Sequence, residues 1–186
     1  MRTVETLMHE HRVVEQGLAV LEAMAARLAS GQSVPSDQVA GLLDFFRDFV
    51  DGCHHAKEEQ SLFPALVEHG IPREGGPVGV MLSEHDQGRN LQRQMCEALP
   101  RLASDAGARS RFAQAVGDYA PLLRQHIMKE DNVLFRMAER VLTPEDDRRL
   151  AQAFDRHEQE AMGEGTHERF HALIDRLAAE YGTARA

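Results

Sequence analysis

Apolar residues recur along this chain at steps of three and four almost without interruption, and no segment alternates in the period-two manner of a strand. The pattern predicts a helix from about Thr3 to Ala29, ended by the small and polar run SGQSVPS. A second helix begins at the cap pair Ser36-Asp37 and runs to His69, where GIPREGGP stops it. A third covers about Val78 to Ala103, and a fourth about Arg109 to Leu142, with Pro121 expected to kink the fourth ahead of His126. The run TPED, Thr143 to Asp146, supplies a cap, a proline and an acidic first turn to a fifth helix, and GEGT separates that helix from a last short one ending near Tyr181. Long helices on short loops predict an all-α fold: an antiparallel four-helix bundle over residues 1–142, with two additional C-terminal helices over residues 143–186 packed alongside.

The second and fourth helices carry the same text. HHAKEEQSLF and HIMKEDNVLF align on Lys57 and Lys129, which matches Glu58 with Glu130 and Leu62-Phe63 with Leu134-Phe135. The first and third helices echo each other more faintly: MHEHRVVEQGL and MLSEHDQGRNL share a Met, then Glu-His, then a Leu. The chain therefore reads as two helical hairpins of one design, each offering EH on its first helix and HxxxE on its second.

An imidazole and a carboxylate four residues apart lie about 40° apart on one helix face, one turn from each other, so both reach a common ion. Two such pairs and two single histidines deliver four imidazoles and two carboxylates to the middle of a bundle. That set suits two iron atoms bridged by the carboxylates, and ligation by nitrogen and oxygen without thiolate favours Fe or Mn over a structural zinc. Within CHHAKEEQSLFP two pairs have the required spacing, His54/Glu58 and His55/Glu59. His54 has a counterpart in His126, whereas His55 matches Ile127, so the repeat prefers His54/Glu58 and His126/Glu130 and leaves His55/Glu59 as the alternative. Glu59 and Asp131 fall about 140° round the helix from the preferred histidines, where they form a supporting layer or an exposed flank.

Composition narrows the rest. A length of 186 residues fits one ordinary domain, and the net charge of −9 without a basic run speaks against nucleic acid as a partner. No apolar run approaches a membrane span, and the N-terminal MRTVETLMHEH lacks the core of a signal peptide. Cys53 and Cys96 lie on different helices without CxxC spacing and read as free thiols of a reducing cytoplasm.

The order EH, HxxKEExxLFP, EH, HIxKEDxxLF resembles the hemerythrin-like family, whose members contain the HHE cation-binding domain; the likeness covers about residues 1 to 142. The resemblance implies a four-helix bundle around an oxo- or hydroxo-bridged non-haem di-iron centre, with His11, His54, Glu58, His85, His126 and Glu130 as ligands and the two glutamates bridging. It implies a cytoplasmic protein that binds or senses O2 or NO, or responds to iron and redox state. The rival readings are a di-iron oxidoreductase that consumes peroxide or NO, and a metal-free helical interaction protein. Oxygen-carrying hemerythrins have a further histidine one turn after that of the third helix, and Arg89 stands there instead. One iron thereby loses a ligand or another group replaces it, and Glu15, at the repeat-equivalent position, is the expected ion-pair partner of Arg89. Repair proteins of iron–sulfur clusters in the family usually carry an additional cysteine-bearing N-terminal domain that this sequence does not contain, so the resemblance implies the cofactor more than any one use of it.

The remaining candidates have plainer readings. His9 lies on the far side of the first helix from His11, and His69 at a helix C-terminus suits the helix dipole. His157 lies beyond the family-like core, and His167 and His171 border an amphipathic last helix. Tyr119, on the face of His126, reads as core, Cys53 as buried packing, and Met8, Met24, Met81, Met95, Met128 and Met137 as core filling.

Overall fold

A computed structural model describes residues 1–163 and 165–183. Six helical rods make up the described chain, with no strand among these residues. We number them α1 (Arg2–Ala29), α2 (residues 36–68), α3 (Pro77–Ala98, continued by the 3₁₀ turn Leu99–Arg101), α4 (residues 106–141), α5 (Pro144–Met162) and α6 (Thr166–Tyr181). None of them is long and apolar enough to cross a membrane.

The apolar stripes pair α1 with α2 and α4, and α3 with α2 and α4, which closes the bundle. The buried apolar side chains fall into two separate cores. One holds Leu18, Leu21, Met24, Phe45, Phe46, Phe49, Phe112 and Leu123 with their neighbours. The other holds Leu7, Leu62, Phe63, Leu66, Met81, Leu134 and Phe135 with theirs. On each of the four bundle helices polar side chains are buried between the two cores: Glu10 and His11; His54, His55, Lys57 and Glu58; His85; and His126, Glu130 and Asp131. The bundle is thus two apolar plugs with a polar layer between them.

The C-terminal helices follow the same stratification. Leu150 and Phe154 of α5 join one core, and Ile174, Leu177 and Ala178 of α6 join the other, so the pair lies across the α1–α2 face. α1 approaches α2 closely at Gly17, where a Cβ would stand 2.8 Å from the Phe45 ring. That ring in turn packs against Phe46, Phe49 and Phe170.

Several expectations hold in detail and a few need correction. Thr143 caps α5 in a reciprocal capping box with Asp146. The start of α2 is at Ser36, but Pro35 is its cap residue and no side chain bonds there. The fourth helix continues through Pro121. Met128 is exposed, because α4 turns it to solvent while His126 and Ile127 face inward. The cap of α1 was hidden from the sequence. Met1 offers no side-chain acceptor, and Asp147 of α5 supplies one, accepting from Arg2 N at 3.0 Å, Thr3 N at 3.1 Å and Thr3 Oγ1 at 2.6 Å.

Burial would raise the Asp147 carboxyl, but the hydrogen bonds from Thr3 and Arg2 outweigh it and hold the group below its ordinary value. A depressed carboxylate contributes stability that is present above its unfolded pKa of about 3.9 and lost as pH falls through the folded value. Replacing Asp147 with Asn is expected to lower stability at neutral pH by about 1 kcal/mol and to shrink the acid-dependent loss below about pH 4, measured by urea unfolding across pH. Unchanged midpoints at both pH values would show that α1 does not need this cap.

Candidate metal centre

On α2 and α4 part of the polar layer is carried by helix turns that are wider than α. Residues Phe45–His55 and Glu58–Leu62 of α2, and Glu130–Leu134 of α4, close i→i+5 rather than i→i+4. Each residue then advances less than the α-helical 100° or so, and side chains that would diverge are kept on one face. His54 and His55 consequently both point inward, at 2% and 4% exposure, so burial does not choose between them. The segments at Glu58 and Glu130 occupy the same place in the repeat.

Seven side chains converge. His11, His54, Glu58 and Glu130 bring ligand atoms within 4.8 Å of one another, and so do His55, Glu58, His85 and His126. Glu58 belongs to both groups. The Nε2 atoms of His11 and His54 are 3.1 Å apart, as are those of His85 and His126. Glu130 Oε2 lies 3.2 Å from both His11 Nε2 and His126 Nε2, while Glu58 spans the pair, 3.5 Å from His54 Nε2 through one oxygen and 3.5 Å from His85 Nε2 through the other. All six residues expected from the sequence meet here; His55 joins them and Glu59 does not.

The fit of a cation can be judged from these two carboxylates. All four oxygens of Glu58 and Glu130 are buried and accept no hydrogen bond. Burying a carboxylate that accepts no hydrogen bond costs several kcal/mol, and two facing each other cost more, so a positive charge between them relieves the arrangement. The donors are imidazole nitrogen and carboxylate oxygen with no thiolate, a set that suits iron or manganese.

Around the seven, a second ring of carboxylates orients the imidazoles. His54 Nδ1 contacts Glu10 at 2.7 Å, His126 Nδ1 contacts Glu84 at 3.1 Å, His85 Nδ1 contacts Glu59 at 2.7 Å, and His11 Nδ1 contacts Asp131 at 2.7 Å. In each EH pair the glutamate therefore holds the histidine of the other helix of its hairpin, and the acid after each central glutamate holds an EH histidine. Fixing Nδ1–H on a carboxylate leaves Nε2 with its lone pair directed inward and makes it more basic. A third ring is cationic: Lys57 on Glu10 at 2.5 Å, Lys129 on Glu84, Arg12 on Asp131 and Arg89 on Glu59 at 2.5 Å. Glu10, Glu84 and the two lysines escaped the sequence reading as functional groups, although the repeat duplicates all four.

Arg89 requires a correction. Its partners are Asp51 at 2.8 Å, Glu59 and Asp86, whereas Glu15 pairs with Arg12 at 3.3 Å. Arg89 leaves α3 toward α2, and Glu15 lies on α1 within reach of its own helix's Arg12, so the helical register separates the two.

Burial lowers the His54 imidazole to about 4, only partly offset by Glu10. Burial, and then the neighbouring imidazoles of His85 and His54, push His55 well down. Burial also lowers His85, against Glu59. His126 is opposed by burial yet raised to about 9 by Glu130 and Glu84, and His11 is raised in the same way by Asp131 and Glu130. Glu58 is driven well up by burial and by Glu130. In Glu130 burial acts upward too, but His126 and His11 hold it low. Burial thus shifts three of the five imidazoles, His54, His55 and His85, toward the neutral form in which an imidazole ligates.

The two halves differ in cover. Lys57 is fully buried and bonded also to Glu158 of α5 at 3.2 Å, while Lys129 is 33% exposed. Glu10, Glu158 and His167 form a third cluster of potential ligands, but the Lys57 ammonium already bonds both acids and supplies its positive charge. His167 and His171 pack against Phe49 and each other, with His9 stacked on His171, as a border to α6. His157 bonds Ser61 at 3.0 Å, and His69 pairs with Asp146 at 3.1 Å. Tyr119 is core, edge-on to Phe46, and burial pushes its hydroxyl up. Cys53 is buried, Cys96 exposed, and both are free.

Comparisons with known proteins bear on the family. The chain is 27% identical over 175 residues to the uncharacterized protein Rv1995 of Mycobacterium tuberculosis, covering 94% of this chain and 67% of that protein. An uncharacterized Mycobacterium bovis protein, Mb2018, matches to the same extent. The iron-sulfur cluster repair protein YtfE of Musicola paradisiaca is 28% identical over 139 residues, 73% of this chain and 62% of that protein. The family model of the hemerythrin HHE cation binding domain matches residues 2–138, a span that contains all seven converging side chains, and the chain belongs to this metal-binding, hemerythrin-like family.

Proposed function

We propose that the protein holds a non-haem di-iron centre and uses it to bind or sense a diatomic ligand, O2 or NO. The observation that carries this reading is the pair of overlapping ligand groups joined at Glu58, with Glu58 and Glu130 buried and accepting no hydrogen bond. His11 and His54 would hold one ion, His85 and His126 the other, and Glu58 and Glu130 would bridge them. Such a centre would supply redox-active metal able to take up an exogenous ligand. The chain's own residues do the remaining work. Glu10, Glu59, Glu84 and Asp131 fix the imidazoles, and the apolar plugs on either side exclude water, which strengthens the electrostatics within the layer. Phe135 stacked on His11 and Phe63 stacked on His85 close the layer from one side with apolar surface.

A second reading is kept because of one relative. The likeness to an iron-sulfur cluster repair protein favours a role in which the same centre handles NO or iron during repair. The two differ in outcome: a sensor forms a lasting adduct, and a repair or detoxifying protein turns its ligand over or gives up iron.

Purified protein is expected to contain close to two irons per chain by metal analysis. Glu58→Ala and Glu130→Ala should each bring the content to one or fewer, whereas Glu15→Ala should leave it unchanged; a metal-free wild type would end the proposal. On admission of O2 or NO to the reduced protein, the visible spectrum is expected to change within seconds and hold, with reversal when the gas is removed. Continuous consumption of NO or peroxide above the rate of free iron would instead establish the catalytic reading.

A further inference from the structure

His55 stands apart from the duplicated plan. Its repeat counterpart is Ile127, yet its imidazole is buried in the polar layer and belongs, with Glu58, His85 and His126, to one of the two ligand groups. It also sits at the end of the wide-turn segment Phe45–His55, which has no equivalent in α4, where Ala106–Lys129 is regular α-helix. A long run of i→i+5 turns is rare and persists where function or tertiary contact holds it. Here it turns in an imidazole that the second hairpin lacks.

Its surroundings support ligation. His55 Nδ1 contacts Asp51 Oδ1 at 3.3 Å, which leaves Nε2 as the nitrogen available to an ion. The Asp51 carboxylate is itself held by Arg89 Nε at 2.8 Å, and the same guanidinium holds Glu59, which orients His85. Arg89 therefore stands where the third helix lacks a second histidine and ties together the two carboxylates that position His55 and His85. The His55 and His85 rings are stacked, 3.8 Å between centroids and 16° from parallel. Two imidazoles on one ion splay apart, so ligation takes a turn of the His55 ring about its own side chain. The 3.3 Å contact to Asp51 is long beside the 2.7 Å contacts that fix His11, His54 and His85, and it leaves His55 the freest of these rings to turn.

We propose that His55 is a fifth imidazole ligand, bound to the ion of His85 and His126. This rests on the di-iron reading above. It makes the two ions inequivalent, with three imidazoles on one and two on the other.

The test is the metal content, chelator resistance and 57Fe Mössbauer spectrum of iron-loaded wild type, His55→Ile and His55→Gln, with helical content checked by circular dichroism. Isoleucine is the residue the repeat itself places at this position, and Gln preserves a polar planar group if the apolar variant folds poorly. Wild type is expected to give two quadrupole doublets of equal area. In either variant one of the two irons should leave at a chelator concentration at least tenfold lower, with its doublet altered, and free imidazole should restore both. Variants that hold two irons with wild-type doublets and chelator resistance would overturn the assignment of His55 while leaving the di-iron reading intact. A wild type without iron would instead remove the reading on which it rests.

Discussion

Glu58 and Glu130 are buried completely and accept no hydrogen bond from the protein, and the rest of the molecule is organised around that electrostatic demand. Carboxylates in such a place need positive charge at their centre and neutralising groups around them. The chain supplies the surroundings in rings of alternating character: imidazoles first, then Glu10, Glu59, Glu84 and Asp131, then Lys57, Lys129, Arg12 and Arg89. Each ring compensates the one inside it. The two apolar cores keep this layer dry, and the low dielectric that results makes the compensation compulsory.

Duplication explains how so many polar groups are buried at one level without conflict. One hairpin design, used twice, places every supporting acid beside an imidazole of a neighbouring helix, so a single motif satisfies both halves of the layer. The departures from symmetry matter as much as the plan. α5 and α6 cover the half containing Lys57 and add Glu158 to its ion pair, while the Lys129 half stays partly open to solvent. On the opposite pair of imidazoles, Arg89 and Asp51 depart from the plan, and His55 is turned inward beside His85.

The fold and much of the centre were legible in the sequence. Helical periodicity, the breaks at SGQSVPS and GIPREGGP, and the TPED cap gave six helices with ends close to those observed. The aligned HHAKEEQSLF and HIMKEDNVLF selected His54, Glu58, His126 and Glu130, because a position used twice is constrained twice. What escaped was of another kind. The roles of Glu10 and Glu84 depend on which imidazole lies across the hairpin. The pairing of Arg89 with Asp51 rather than Glu15 depends on the relative rotation of packed helices.

By itself, then, the sequence determined the helices, their twofold repetition and the side chains bound for the interior, since these follow from local periodicity and spacing along one chain. The tertiary structure decided that His54 and His55 both face the centre, that α5 caps α1 through Asp147, and that the C-terminal helices cover one half only. The physical reason is common to all three. The i→i+5 turns of α2 and the contacts between distant helices arise from packing and charge compensation across the bundle, which no spacing rule within a single helix contains.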